Sequence, residues 1–344
     1  MGVSAGRIGL FTSGLMRLTP EIAALTGLTP IRRHRSAAGL AAVGVWGRRP
    51  TAAPAEAAAA RAGKPVWRME DGFFRSLAPG AAERSISYVL DRTGIYYDAA
   101  QPSDLEAMIR ARAQDPAGAA RDAAPALAAL RAGLSKYNLF DAAPAFDGWP
   151  ADPAEVQLLV DQTAGDASVA GAGASAAAFR DMLVAAAEAQ PGGAIALKTH
   201  PETQTGRRAG HFHDALIAEA AARSPAVARA QAEGRLLRLT ARTAPAEVFA
   251  RVGRVRAVSS LMGFEALAHG LPTVCHGAAF YAGWGLTEDL VPVPARRGPA
   301  PLEALAAAAF ADYCRWFDPA SRRPVALEEA VAGLLARTRR APAA

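Results

Sequence analysis

The 344-residue chain is half hydrophobic and one-fifth charged, a balance typical of folded globular proteins rather than disordered ones. No apolar run approaches the ~20 residues that a membrane-spanning helix requires, and the N-terminal segment lacks a signal-peptide cleavage site, so we expect a cytoplasmic protein. The net charge of +6 suits an anionic surface, but no nucleic-acid-binding motif accompanies it and no nucleic acid partner is expected.

The first half alternates between predicted strands and helices. Apolar, β-branched and aromatic runs predict strands at residues 8–11, 42–46, 65–69, 85–90 and 95–97. Alanine-rich or capped segments predict helices from about residue 20 and at 54–62, 102–109 and 117–132. This alternation favours an α/β layer with a mainly parallel sheet, which places polar ligands at the carboxyl ends of its strands.

The second half repeats this alternation after a proline-rich segment, 141–153, which is predicted to link two domains. Strands are predicted at residues 155–160, 194–197, 236–239, 257–258 and 273–275. Helices are predicted at residues 174–189, 212–222, 245–251, 261–271, 302–305 and 327–335. We therefore expect an N-terminal α/β domain (1–145), a C-terminal α/β domain (146–320), and a C-terminal helix with a basic tail (321–344).

Three polar motifs, DQTAGDAS, KTHPE and SSLMGFE, each follow a strand of the second half and are expected to meet in one crevice. Ser259 and Ser260 begin a helix, where hydroxyls and free N–H groups bind a phosphate or form an ordinary N-cap. Lys198 and His200 are candidates for the same phosphate, although a capped helix start explains them equally well. Glu265 lies one turn inside the helix, where a carboxylate can bind a ribose.

Three further segments carry candidate site residues. In DQTAGDAS, Gly165 permits a tight turn that presents Asp166 at its tip, toward a ligand or simply as a surface turn, while Asp161 is expected to orient the loop by hydrogen bonding to the backbone. The motif EDGFFRS follows the third strand and either meets a polar ligand or closes an internal Arg–Asp pair. In FYAGWG, aromatic side chains beside glycines favour a wall for a sugar ring over regular core packing.

These motifs resemble those of a known family. DQTAGDAS, LKTHPE, SSLMGFEALAHGLPTVCHG and FYAGWGLTED look like motifs of the β-Kdo transferases of capsular polysaccharide biosynthesis, the KpsC/LipB type. WRMEDGFFRS and LDRTGIYYDAAQPSDLE are similar to the first domain of that family, so the resemblance covers about residues 7–318. Members commonly carry two such modules in tandem, and this sequence contains one.

The resemblance implies a GT-B-like fold of two Rossmann-like domains facing a central cleft, with CMP bound by the second domain and the acceptor by the first. It implies transfer of β-Kdo, with retention, from CMP-β-Kdo to a lipid-linked Kdo oligosaccharide. The implied catalytic residues are Asp166 and His200. The implied nucleotide-binding residues are Lys198, His200, Ser259, Ser260 and Glu265. The implied sugar- and acceptor-binding residues are Gln162, Glu70, Asp71, Arg75, Tyr281 and Trp284.

The expected partners are a CMP-sugar donor and a lipid-linked acceptor, with the inner face of the cytoplasmic membrane and the capsule export machinery. Basic clusters at residues 32–35 and 48–49 suit an anionic membrane surface. No metal or other cofactor is expected, since no Asp-x-Asp pair follows a strand. The alternatives are another GT-B nucleotide-sugar enzyme, sialyltransferase-like or epimerase-like, and a non-catalytic capsule-assembly protein.

Overall fold

The computed structural model describes most of the chain as two β-sheets covered by helices. The described residues are 6–80, 83–140, 146–204 and 206–340, without the side chains of 339 and 340. Residues 141–145 of the predicted linker lie outside them, and 146–152 form turns and bends that lead into a 3-10 helix at Pro153–Glu155. No helix within the described residues is both long and apolar enough to cross a bilayer.

The first sheet takes strands from both ends of the chain. Numbered along the sequence, they are β1 (Arg7–Leu10), β2 (Thr29–Arg32), β3 (Ala42–Trp46), β4 (Val66–Asp71), β5 (Ser87–Asp91), β12 (Cys314–Phe317) and β13 (Pro324–Val325). Their spatial order is β13-β12-β5-β4-β3-β1-β2. The four neighbouring strands β4, β3, β1 and β2 are parallel to one another. Next to β4, the strands β5, β12 and β13 each pair antiparallel with the preceding strand.

The second sheet is wholly parallel and comes from one internal part of the chain. Its strands are β6 (Val156–Val160), β7 (Ala194–Lys198), β8 (Leu236–Leu239), β9 (Arg254–Ala257), β10 (Thr273–Cys275) and β11 (Glu288–Asp289). Their spatial order is β11-β10-β9-β6-β7-β8. Read from β8, this is the order 3-2-1-4-5-6 of dinucleotide-binding folds, in which ligands bind where the order reverses.

Helices cover both sheets. In the first half they are α1 (Ser13–Met16), α2 (Thr19–Thr26), α3 (Ala53–Arg61), α4 (Asp104–Ala113) and α5 (Pro116–Arg131). In the second half they are α6 (Ala167–Gly171), α7 (Ala176–Ala189), α8 (Pro201–Gln204), α9 (Asp214–Arg223), α10 (Pro225–Ala232), α11 (Pro245–Phe249), α12 (Leu261–Ala268), α13 (Leu302–Ala306) and α14 (Leu327–Arg340). A π-type turn over Ala307–Tyr313 continues α13.

The C-terminal part of the chain returns to the first sheet. β12 pairs with β5, and Phe310 and Trp316 pack on Phe73 and Phe74 with ring centroids 5.0–5.9 Å apart. The change from one sheet to the other therefore falls before β12, inside the segment that we expected as a domain of residues 146–320. Pairing across more than 200 residues of chain leaves no local pattern by which a sequence could reveal it.

One predicted strand is absent from the structure and the short strand β2 escapes prediction, each for a local reason. Residues 95–97 form a turn instead of a strand, because buried Asp91 accepts hydrogen bonds from the N–H groups of Thr93 (3.0 Å) and Gly94 (2.7 Å) and so ends β5 in a tight loop. β2 was not predicted because it is short and contains Pro30. A proline is tolerated there because β2 is an edge strand, paired on one side only among the described strands.

A buried ion-pair cluster joins α4 to the segment that follows the second sheet. The carboxylate of Glu106 accepts from Arg297 Nε at 2.7 Å and from Arg296 Nε at 2.6 Å. The Arg297 side chain is only 1% exposed and also donates to the carbonyl groups of Ala279 (2.6 Å) and Ala282 (3.0 Å). These charge-assisted bonds therefore fix α4 against the segment that follows the second sheet and against the loop that contains Ala279 and Ala282.

Candidate functional site

The crevice of the second sheet lies between β6 and β9, where the strand order reverses. Gln162 joins the loops that leave these strands: its side-chain oxygen accepts from the Ser259 N–H at 3.0 Å, and its amide nitrogen donates to the Ser259 hydroxyl at 3.0 Å. The Ser168 hydroxyl lies 3.0 Å from that of Ser259. Both ends of the Gln162 amide are thus engaged in joining the two loops, and its predicted contact with a sugar stays a prediction.

The N-terminus of α12 forms one wall of this crevice. The hydroxyl of Ser260 accepts from the Met262 N–H at 3.3 Å and caps the helix, while its backbone carbonyl accepts from the Tyr281 hydroxyl at 2.7 Å. A Cβ on Gly263 would lie 2.1 Å from that hydroxyl oxygen, so only glycine allows this approach. Ser259 and Ser260 remain partly exposed, beside a helix end whose positive dipole favours an anion.

Glu265 is buried inside the same helix. Its Oε1 accepts from the Ser135 hydroxyl at 2.7 Å, and its Oε2 has no hydrogen-bond partner among the described residues. Burial raises the pKa of this carboxyl to about 7, an effect that the Ser135 hydroxyl and the charge of Lys198 oppose. A buried oxygen without a partner is unusual, and its binding of a ribose hydroxyl stays a prediction.

Lys198 and His200 stand at the carboxyl end of β7, next to β6. Lys198 is buried, whereas His200 is partly exposed and its Nδ1 accepts from the Glu202 N–H at 3.1 Å. Burial lowers the pKa of His200 to about 4, with Lys136 and Lys198 reinforcing the effect and Asp166 opposing it. At neutral pH the ring is uncharged and carries its proton on Nε2, where it can donate a hydrogen bond to a phosphate oxygen.

Asp166 is brought to the same crevice by the loop after β6. It caps α6 by accepting from the Ser168 N–H at 2.9 Å, follows Gly165 at φ = 76°, and is partly exposed. Its charge acts on the pKa of His200, so the two side chains lie within electrostatic range of each other. Asp161 is instead buried and accepts from the N–H groups of Gln162 and His211 at 2.9 Å each, which is the loop-orienting role expected from the sequence.

α6 also contacts the first half of the molecule directly. The backbone of Ala99 donates to the Gly171 carbonyl at 2.8 Å. A Cβ on Gly171 would lie 2.4 Å from the carbonyl oxygen of Tyr97, closer than real side chains approach. The position of Asp166 at the start of α6 therefore depends on a close contact at the other end of this helix.

The motif EDGFFRS lies at the end of β4, on the other side of the cleft. Burial raises the pKa of Glu70 to about 7, an effect that Lys136 opposes and Asp71 reinforces. Arg75 donates to Asp71 at 2.9 Å, to the Ser76 hydroxyl at 2.7 Å and to the Gly80 carbonyl at 2.8 Å. The guanidinium of Arg75 is thus fully engaged within the loop. Of the two alternatives for this motif, the structure shows the internal ion pair between Arg75 and Asp71, and contact of either side chain with a sugar acceptor stays a prediction.

Tyr281 and Trp284 do not line the cleft. Both side chains lie in the hydrophobic core at 0% and 1% exposure, and the Trp284 Nε1 donates to the Phe280 carbonyl at 2.8 Å. The prediction that they form a wall for a sugar ring is wrong. The neighbouring Gly283 and Gly285, at φ = 83° and 81°, form a loop that lets the aromatic side chains turn inward.

Lys136 was missed by the sequence analysis. It lies between α5 and the linker, in the segment SKYN. Its charge acts on the pKa of Glu70, on one side of the cleft, and on the pKa of His200, on the other side. A single lysine in a short polar segment carries no motif that could have identified it.

Comparison with known proteins identifies this architecture. A family model described as capsule polysaccharide biosynthesis protein matches residues 41–139 and 151–316. The chain belongs to this family. It is 33% identical over 315 residues to the capsule polysaccharide modification protein LipA of Neisseria meningitidis serogroup A, covering 88% of this chain and 42% of LipA. It is 31% identical over 255 residues to the lipopolysaccharide-processing protein LpsZ of Rhizobium meliloti, covering 73% of this chain and 54% of LpsZ.

The chain thus spans about half the length of these curated relatives. The solved structure of the Thermosulfurimonas dismutans KpsC β-Kdo 2,4 transferase matches 96% of this chain and 98% of its own, with 31% identity and a TM-score of 0.83. The β-Kdo 2,7 transferase of the same KpsC matches 96% and 99% with a TM-score of 0.69, and its 23% identity speaks to the fold alone. The expected GT-B-like fold is confirmed.

Proposed function

We propose that this chain is a retaining glycosyltransferase that moves β-Kdo from CMP-β-Kdo to a lipid-linked Kdo oligosaccharide during capsular polysaccharide biosynthesis. Family membership and the similarity to solved Kdo transferases support the class of reaction. The structural observation that carries the proposal is the crevice between β6 and β9, where the charge of Asp166 acts on His200 beside the N-terminus of α12. A carboxylate, a neutral donor and an anion-binding helix end are what cleavage of a sugar–phosphate bond requires.

CMP is proposed to bind on the side of the second sheet. Its phosphate meets the N-terminus of α12 with Ser259 and Ser260, and accepts from His200 Nε2. Its ribose hydroxyls donate to Glu265, whose Oε2 has no other hydrogen-bond partner in the described part of the chain. With the helix end, His200 and the charge of Lys198 acting on one phosphate, no metal ion is needed to hold it.

Asp166 is proposed as the catalytic carboxylate. The bond between the anomeric carbon and the phosphate oxygen breaks, CMP departs with the electron pair, and the carboxylate bonds to the carbon or stabilises its positive charge. The acceptor hydroxyl then attacks from the face that CMP has left, so two displacements retain the configuration. The hydroxyl proton passes to a base on the acceptor side, where Glu70, with its pKa raised by burial to about 7, is suited to accept it.

We also propose that the enzyme works at the inner face of the cytoplasmic membrane. Arg32, His34 and Arg35 are exposed at and beyond the edge strand β2, and Arg49 is exposed near the cleft, whereas Arg48 pairs with Asp98. Each basic residue near an anionic surface contributes about 1 kcal/mol, screened by salt. Flotation with anionic vesicles at low salt should exceed flotation with neutral vesicles, and equal recovery would reject the membrane proposal.

The transferase proposal is tested by incubating purified protein with CMP-Kdo and a Kdo-terminated acceptor, followed by NMR of the product linkage. Asp166→Asn removes the charge but keeps an oxygen that can cap α6, so it is expected to abolish transfer while CMP still binds. Asp115→Asn, the same change at the cap of α5, is the matched control and should transfer normally.

Two outcomes would contradict the proposal. Near-normal turnover by Asp166→Asn would remove this carboxylate from catalysis. Transfer from CMP-sialic acid or from a UDP-sugar, with none from CMP-Kdo, would assign the crevice to another nucleotide-sugar enzyme.

A further inference from the structure

Lys136 lies where the chain crosses from the first sheet to the second. Its backbone carbonyl accepts from the N–H groups of Arg75 (3.1 Å) and Ser76 (3.2 Å), and Asn138 Nδ2 donates to the Ser76 carbonyl at 3.1 Å. On the other side, the hydroxyl of the preceding Ser135 donates to Glu265. This crossing segment is thus held at both ends, by the loop on the acceptor side and by the carboxylate on the nucleotide side.

The Lys136 side chain is partly buried, and its charge acts on Glu70 on one side of the cleft and on His200 on the other. Within the described residues it makes no hydrogen bond and no ion pair. The acidic groups whose charges act on it are otherwise engaged: Asp71 is paired with Arg75 at 2.9 Å, and burial keeps Glu70 partly protonated near neutral pH. Burial disfavours the charge on Lys136, but the phenols and carboxyls around it raise its pKa above the ordinary value, so it stays charged.

An ammonium group that stays charged between the two sides of a cleft, without an ion pair in the described residues, is suited to an anionic ligand. Its charge acts on His200, which is proposed to contact the phosphate, and on Glu70, which is on the acceptor side. The ligand group that lies between these two positions is the transferred sugar itself. In a ulosonic acid this sugar carries a carboxylate on the anomeric carbon, whereas an ordinary hexose has no charge there.

Resting on the proposed function, we infer that Lys136 binds the carboxylate of the donor ulosonic acid and so selects an acidic sugar over a neutral one. The lysine also fixes the rotation of the sugar about its bond to phosphate, because the carboxylate and the phosphate oxygen are attached to the same carbon. The anomeric carbon is thereby turned toward Asp166.

The test compares Lys136→Met, which keeps the length but removes the charge, with Lys136→Arg, which keeps the charge. CMP affinity is measured by calorimetry, and hydrolysis of CMP-Kdo without acceptor gives the donor KM. For Lys136→Met we expect CMP affinity within twofold of wild type and a donor KM raised on the order of 10- to 100-fold, the loss expected for a charge-assisted bond. Lys136→Arg should recover part of this loss, and Lys64→Met, far from the cleft, should match wild type in both assays.

An unchanged donor KM in a folded Lys136→Met protein would overturn the inference while leaving the proposed function intact. A rise confined to the KM of the acceptor in the full transfer assay would also overturn it, since the carboxylate would then belong to the acceptor. If wild-type protein neither hydrolyses nor transfers CMP-Kdo, the proposed function fails and the inference fails with it.

Discussion

Replacing Glu265 by glutamine should stabilise the fold at alkaline pH and weaken nucleotide binding. The side chain is 2% exposed, and only one of its two oxygens has a hydrogen-bond partner in the described residues. Glutamine keeps an oxygen that can accept from the Ser135 hydroxyl but cannot ionise. The substitution therefore removes a buried charge with little change in shape.

The size of the effect follows from the pKa of this carboxyl, which burial raises from 4.5 to about 7. Between these values the folded protein keeps a proton that the unfolded chain has lost, so this group makes wild-type stability fall as pH rises, and the loss persists above pH 7. One pKa unit corresponds to 1.36 kcal/mol, so the loss reaches about 3 kcal/mol at pH 8 and is under about 1 kcal/mol at pH 5.

Urea unfolding of both proteins at pH 5 and pH 8 measures this difference. The stability of Glu265→Gln relative to wild type should rise by about 2–3 kcal/mol between the two pH values. Glu233→Gln, an exposed carboxylate paired with Arg235, is the control and should show no such trend. A relative stability of Glu265→Gln that did not depend on pH would refute the argument, and unchanged CMP affinity in calorimetry would remove Glu265 from the ribose site.

Glu106→Gln should lower the free energy of unfolding by about 3–5 kcal/mol, since it leaves the buried guanidinium of Arg297 without a counter-charge. Denaturant titration measures this loss, and a loss below about 1 kcal/mol would show that the ion-pair cluster around Glu106 does not stabilise the fold. Gly171→Ala should reduce kcat by on the order of 10-fold or more with CMP affinity kept, because the added Cβ displaces α6 from Tyr97 and moves Asp166. EDTA should leave the transfer rate unchanged, whereas activity lost in EDTA and restored by manganese would show a metal requirement.

The parts of the fold that local pattern determines were predictable. β6 and β7 are fully buried, mostly apolar runs bounded by turns, so their positions and the polar loops after them follow from the sequence. The apolar pattern predicts this strand at residues 257–258, later than the observed β9, because Arg254 and Arg256 interrupt the pattern. Arg256 is nevertheless buried, since its Nε donates to the Gln157 side chain at 2.7 Å on the neighbouring strand.

The sequence predicts which loops meet at the site. It does not predict which of their side chains are free to contact a ligand and which are engaged within the protein. Placement of DQTAGDAS and SSLMGFE on β6 and β9 follows from strand order, but the bonding of Gln162 to Ser259 depends on a distance between loops 97 residues apart. The inward turn of Trp284 depends on left-handed glycines, which sequence alone cannot distinguish from flexible ones. The effect of the Lys136 charge on both Glu70 and His200 depends on where the chain passes from the first sheet to the second.

The return of β12 and β13 to the first sheet constrains the order in which a nascent chain can fold. The second sheet is complete once residue 289 has been synthesised, whereas β5 waits for its partner until residue 317 has left the ribosome. Until then the aromatic face of Phe73 and Phe74 lacks its cover of Phe310 and Trp316. A chain truncated near residue 300 would therefore expose an open strand edge and an apolar face together, the combination from which aggregation starts.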